Sequence, residues 1–173
     1  ESQNMIREPR ELYEPISYTL DTGGKRLRPS LVLMALNVYS DNIHSAIKPA
    51  LGVEIFHNFT LIHDDIMDNA QLRRNYPTVH AKWDINTAIL SGDAMFIQAY
   101  DYLFDYKGVN SQLIYALFNQ SALKVCEGQQ YDMNFEERSR VTEQEYLKMI
   151  ELKTAELMAC ALKIGSLIGG ASI

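Results

Sequence analysis

The chain has 173 residues, of which 47% are apolar and 22% charged, and its net charge is −6. That is enough for one domain with a sizeable core, and the acidic balance excludes the uniformly basic surface of a nucleic-acid binder. No run of about 18 uncharged apolar residues is present, so no transmembrane segment is expected. The first residues, Glu1-Ser2-Gln3-Asn4, lack the apolar core of a signal peptide. The last, Leu167 to Ile173, are small and apolar with no polar tail, which suggests a truncated chain. Cys126 and Cys160 form no CxxC pair. Two buried free thiols are expected rather than a disulfide or a zinc site.

Helical periodicity dominates, and no two-residue hairpin turn joins alternating runs. The pattern predicts helices at 8–21, 29–40, 43–69, 84–106, 110–130 and 142–169. Thr22-Gly23-Gly24 closes the first, and Pro29 suits the first turn of the second. Asp41-Asn42 and Asn75-Tyr76-Pro77 mark loops, and Lys107-Gly108 marks a helix stop. Thr142 with Glu145 forms a capping-box signature. Long helices with short connections predict an all-α antiparallel bundle, one domain over 1–173. The helix at 43–69 is apolar on most sides and should be central.

That helix carries His57, Asp64 and Asp68. At about 100° per residue they fall within about 40° of one another. Two carboxylates at i and i+4 repel, in an apolar stretch, at a helix end whose dipole disfavours anions. A hard cation such as Mg²⁺ would offset the cost. On spacing alone a solvated acidic helix end remains the alternative. Arg73-Arg74 follow, and an arginine fork suits phosphate. Charge balance against the aspartates explains them equally well when they are taken alone. Gly23-Gly24-Lys25-Arg26-Leu27-Arg28-Pro29 gathers cations in a tight turn before a helix, where Lys25 and Arg28 could reach an anion. A solvated basic turn is the alternative there. Glu54 with His57 is a single Glu-x-x-His; a di-iron bundle needs two, and Glu54 is better read as a paired core carboxylate. The methionines (Met5, Met34, Met67, Met95, Met133, Met149, Met158) read as gap-filling core groups, Tyr100, Tyr102 and Tyr106 as packing, and Trp83 as a loop anchor.

Together the glycine-basic turn, His63-Asp64-Asp65-Ile66-Met67-Asp68, Arg73-Arg74, Gly128-Gln129-Gln130-Tyr131-Asp132-Met133 and Lys153-Thr154 resemble, in order, the motifs of the trans-isoprenyl (polyprenyl) diphosphate synthases of farnesyl and geranylgeranyl type. The likeness covers 23–154. It implies the isoprenoid synthase fold and head-to-tail condensation of an allylic diphosphate with isopentenyl diphosphate. It implies Mg²⁺ held by Asp64 and Asp68, with Asp65 supporting them. Arg73 is implied to contact the allylic diphosphate, and Lys25, Arg28, His57 and Arg74 the isopentenyl diphosphate. Lys153 and Thr154 would face the allylic diphosphate and forming cation, with Gln129 and Asp132 lining the cavity. A cytoplasmic homodimer is also implied.

Phe59, five residues before Asp64, resembles the family position that floors the product pocket, and the aspartate motif lacks the insertion of bacterial farnesyl synthases; a C15–C20 product follows, C20 favoured. Helical geometry alone sets Phe59 about 140° from Asp64, as a core residue. Two departures stand out. Asn75 replaces the usual glycine after the arginines, and Asn tolerates the left-handed conformation. The family's second aspartate-rich motif is absent, so these 173 residues alone are expected to be inactive. A non-catalytic subunit of a heteromeric synthase is the alternative, though such relatives lose first-motif aspartates. A terpene cyclase would not need Lys25, Arg28 and His57.

Overall fold

The computed structural model describes residues 7–172. The expectations for Met5, for the start at Glu1-Ser2-Gln3-Asn4 and for Ile173 lie outside the described residues. The architecture is all-α: α1 (Arg10–Asp21), α2 (Leu27–Asn37), a 3-10 turn (Ile43–Ala46), α3 (Ile47–Met67), a two-stranded hairpin of β1 (Leu72–Arg73) and β2 (Tyr76–Pro77), α4 (Val79–Lys82), α5 (Ile85–Phe104), α6 (Ser111–Glu136), α7 (Glu143–Ile150), a π turn (Glu151–Ala155) and α8 (Glu156–Gly169). The described residues divide into two compact units, one of residues 7–26 and 54–102, the other of 27–53 and 103–172. Among the described residues, no helix is long and apolar enough to cross a membrane.

In the first unit, the side of α3 around Phe56 and Ile62 is buried, as are Ala88, Met95 and Ala99 of α5. Ser91 ties α5 to α1 by donating to the Leu12 carbonyl at 3.0 Å. Asp84 caps α5, accepting from the Thr87 amide at 2.9 Å. Trp83 meets the Tyr18 ring edge-on at 5.3 Å, with the Lys82 ammonium 3.8 Å from the Tyr18 ring centre. It is an anchor, as expected, although it closes the short helix α4 rather than sitting in a loop.

In the second unit, α2 packs on α8. Contact is close because Gly165 faces α2: a Cβ there would lie 2.0 Å from the Val32 carbonyl oxygen. Val32, Leu36, Leu157, Cys160, Ala161 and Ile164 fill this core. The capping box forms as expected, with Thr142 Oγ1 accepting from the Glu145 amide and the Glu145 carboxylate accepting from the Thr142 amide.

Several expectations need correction. The predicted helix 43–69 opens as a 3-10 turn and ends at Met67; 110–130 runs on to Glu136. The predicted helix 142–169 is interrupted by the π turn. Residues 72–77 form a hairpin, with Arg73 opposite Tyr76 and Leu72 opposite Pro77. Strands of two residues are too short to show alternation. Cys126 is exposed, on an outer face of α6, and only Cys160 is buried. Burial pushes the Cys160 thiol up to about 11. Met95 and Met149 are buried, but Met34, Met67 and Met133 are exposed.

Candidate functional site

Helix α3 ends in a Schellman motif. Asn69 takes φ 50°, its amide reaches the Ile66 carbonyl at 3.1 Å, and the Ala70 amide reaches Asp65 at 2.9 Å. Asp64, Asp65 and Asp68 therefore crowd the negative end of a helix dipole. The charge that offsets them comes from the hairpin. Arg73 Nε donates to both Asp65 oxygens at 2.8 and 2.9 Å, and Nη2 lies 2.7 Å from Asp65 Oδ1 and 3.2 Å from Asp64 Oδ2. Asp65 is 4% exposed. Burial lifts its carboxyl above the usual carboxylate range, and the Arg73 hydrogen bonds and charge pull it back only in part. Burial works against the Arg73 charge too, but Asp65, with Asp64 and Asp68 behind it, holds the guanidinium above its ordinary pKa.

The two sides of the helix end differ. Asp65 turns inward to Arg73. Asp64 is half-buried and Asp68 exposed. Among the described residues, no group of three or more His, Cys, Asp or Glu could hold a metal ion by itself. Asp64 and Asp68 present two hard carboxylate donors one turn apart at the end of α3, the donor type that Mg²⁺ accepts alongside water and phosphate oxygens.

The hairpin turn is Arg74-Asn75, with φ 54° and 69°, the doubly left-handed pair of a type I′ turn. Asn75 thus adopts the conformation expected of it. Arg74 is an unusual residue there. Its Nη1 donates to the Gly23 carbonyl, which fixes the side chain over the glycine turn. Gly24 makes this possible: a Cβ there would lie 2.8 Å from Arg74 Nη1, and its φ of 144° suits only glycine. Lys25, next in the turn, is exposed. The structure so brings Arg74 to the glycine-basic turn within the first unit.

Arg26, to which sequence reasoning gave no role, is also left-handed (φ 49°). Its guanidinium donates to Glu54 Oε1 and the Leu20 carbonyl, both at 2.6 Å. Glu54 is 7% exposed and also accepts from Asn58 at 3.1 Å. It is the paired core carboxylate expected. Half-buried on α3, His57 shares the helix with Phe59, whose ring lies 5.5, 5.2 and 4.8 Å from those of Phe56, Phe96 and His63.

In the second unit, Arg28 lies in the first turn of α2 and Gln129 is half-buried on α6. Lys153 and Thr154 fall inside the π turn. Lys153 Nζ donates to Asp132 Oδ2 at 2.6 Å, and Thr154 is exposed. Sequence reasoning missed the π turn, and it gave Gly128 no role although the glycine stands in a quoted motif. The signal was present in the step of five between the buried residues Leu152 and Leu157, where an α-helix would use three or four.

With this geometry in hand, comparison with known proteins is decisive for family. The polyprenyl synthetase family profile matches residues 9–173. A geranylgeranyl diphosphate synthase of Methanosarcina mazei is 44% identical over 169 residues, covering 96% of this chain and 52% of the relative. A (2E,6E)-farnesyl diphosphate synthase of Mycobacterium bovis is 41% identical over 148 residues, covering 86% and 41%. A crystal structure of a geranylgeranyl pyrophosphate synthase superposes with a TM-score of 0.92 at 53% identity, covering 95% of this chain and 50% of that one. The fold is the all-α isoprenoid synthase fold. The chain belongs to the polyprenyl synthetase family. It spans about half the length of the curated relatives it matches.

Proposed function

We propose that the full-length protein is a trans-polyprenyl diphosphate synthase that condenses an allylic diphosphate with isopentenyl diphosphate and releases diphosphate. The observation that carries this reading is the end of α3. There, Asp65 is occupied by Arg73 while Asp64 and Asp68 stand at i and i+4 as hard donors beside that guanidinium. Relatives named geranylgeranyl and (2E,6E)-farnesyl diphosphate synthase support it.

Asp64 and Asp68 would hold Mg²⁺, which when bound supplies positive charge to the departing diphosphate. Arg73, whose Nε–Nη2 edge is held by Asp65, offers Nη1 to the same leaving group. The allylic C–O bond breaks and the electron pair leaves with diphosphate. By the family resemblance, Lys153 and Thr154 serve the allylic diphosphate and the developing cation. Lys25, Arg28, His57 and Arg74 bind and orient isopentenyl diphosphate. Its double bond attacks the allylic carbon, a C–C bond forms, and loss of a proton to diphosphate restores a double bond. No side-chain nucleophile is required; positioning and electrostatics do the work. The family resemblance extends to a homodimer, to which the exposed Leu90 and Ile97 of α5 lend an apolar surface.

The test is incubation of the full-length protein with labelled isopentenyl diphosphate, an allylic primer and Mg²⁺. Chain elongation is expected, with C15–C20 products and C20 favoured. A cyclase would consume the allylic substrate alone and a non-catalytic subunit neither. Phe59 packs in the Phe56–Phe96–His63 ring cluster; by the family resemblance it floors the product pocket, and Phe59→Ala should lengthen the product. An unchanged product spectrum would remove Phe59 from that role.

A further inference from the structure

The helix from Glu143 to Gly169 contains a rare five-residue π turn, and the pair Lys153-Thr154 lies within it. Such a bulge inserts one residue into the helical phase. The buried residues record the insertion: Met149 and Leu152 are three apart, Leu152 and Leu157 five apart, Leu157 and Cys160 three apart. An unbroken helix would bring residue 156 to the buried position. Instead Glu156 is turned to α6, where it accepts from Ser121 at 2.8 Å and Lys124 at 3.2 Å.

Helix α6 is shaped to receive the bulge. Its contacts come from Ser121, Lys124, Gly128 and Asp132, a single stripe at steps of three, four and four. At Gly128 the π-turn backbone comes so near that a Cβ would lie 2.2 Å from the Lys153 amide nitrogen and 2.7 Å from the Leu152 carbonyl carbon. One turn further, Asp132 Oδ2 accepts from Lys153 Nζ at 2.6 Å. Residue 153 is thus fixed twice, by its backbone against a glycine and by its ammonium against a carboxylate.

We propose that Gly128 and Asp132 are positioning residues that, through the π turn, set the Lys153-Thr154 pair for reaction. The inference rests on the prenyl-transfer reading of Lys153 and Thr154. A bulge kept against α-helical phase, and matched by a glycine on the facing helix, is a local cost that packing alone does not require. The stripe also explains why the glycine is followed four residues later by an aspartate: the first admits the backbone and the second takes the ammonium.

The test uses the full-length protein and reads kcat, both KM values and thermal stability. Asp132→Asn is expected to lower kcat between about tenfold and a hundredfold, with KM for isopentenyl diphosphate within about twofold and the melting temperature unchanged. Once Lys153→Met is present, Asp132→Asn should cost nothing more, because Asp132 acts through Lys153. Deletion of Ala155 restores helical spacing between Leu152 and Leu157. It should keep melting within a few degrees and lower kcat about a hundredfold. Unaltered kcat in folded Asp132→Asn, or additive losses with Lys153→Met, would overturn the proposal. So would a loss of kcat that only tracks a loss of stability. Should the deletion fail to fold, the Asp132 and Lys153 variants decide alone. A wild-type protein that elongates no primer refutes the prenyltransferase reading instead, a separate failure.

Discussion

Arg73 and Lys153 are both cations held by an aspartate, in different units, and they are held differently. Asp65 takes Arg73 in a fork at 2.7–2.9 Å and is itself 4% exposed. The Lys153–Asp132 pair has one contact, at 2.6 Å, between side chains that are 25% and 32% exposed. The first pair closes a helix end that would otherwise carry three anions against the dipole. The second sits beside a backbone bulge and adds little to burial. Such a contrast separates an ion pair that the fold requires from one the fold can do without. The same charge type thus serves stability in one place and position in the other.

The contrast breaks most readily at Arg73. Asp65 is buried but Arg73 is 34% exposed, so removing the guanidinium leaves a carboxylate uncompensated at a cost that solvent screening reduces to about 2–4 kcal/mol. Arg73→Ala should therefore lower stability by an amount in that range, read by chemical denaturation. Asp132→Asn should cost less than about 1 kcal/mol, because both partners are partly solvated. Equal losses would show that the two pairs do the same job. Between these lies Gly128→Ala. Its Cβ meets backbone atoms of the π turn, which cannot swing aside as a flexible side chain would. A loss of about 1–3 kcal/mol is expected, measured in the same titration. A neutral effect would mean the turn relaxes freely and Gly128 does not seat it.

The two regions were not equally legible in the sequence. Asp64, Asp68 and the arginines announce themselves because charge is conspicuous in an apolar helix, and i, i+4 spacing is readable without a structure. Glu54 could be read as a paired core carboxylate for the same reason. Its partner could not be named, because Arg26 reaches it from 28 residues away across a left-handed turn. That Asp65 rather than Asp64 is the main partner of Arg73 depends on a hairpin with strands of two residues, below the length at which alternation shows. The π turn left only a five-residue step in the apolar pattern, which a periodicity of 3.6 absorbs as noise. Cys126 was misjudged because apolar character says nothing of which face of α6 it occupies. Local rules see charge and caps; they do not see which backbone comes close to which.

The smallest effect expected lies at the start of α7, eight residues before the π turn begins. Glu145 accepts from Arg138 Nη1 at 2.8 Å and from the Thr142 amide at 2.9 Å. The Arg138 hydrogen bond, followed by those of the Thr142 amide and hydroxyl, holds the Glu145 carboxyl down at about 2, against an ordinary 4.5. A carboxylate depressed in the folded state adds stability that is present above its unfolded pKa and lost as pH falls through the folded one. The window is therefore pH 4.5 down to about 2. Within it, the difference in stability between wild type and Glu145→Gln should shrink steadily, and above it the difference should be constant. Carboxyl NMR of Glu145 should give a midpoint near 2. A midpoint near the ordinary value would mean that this exposed cap, unlike the Asp65–Arg73 fork, is too solvated to hold its proton off.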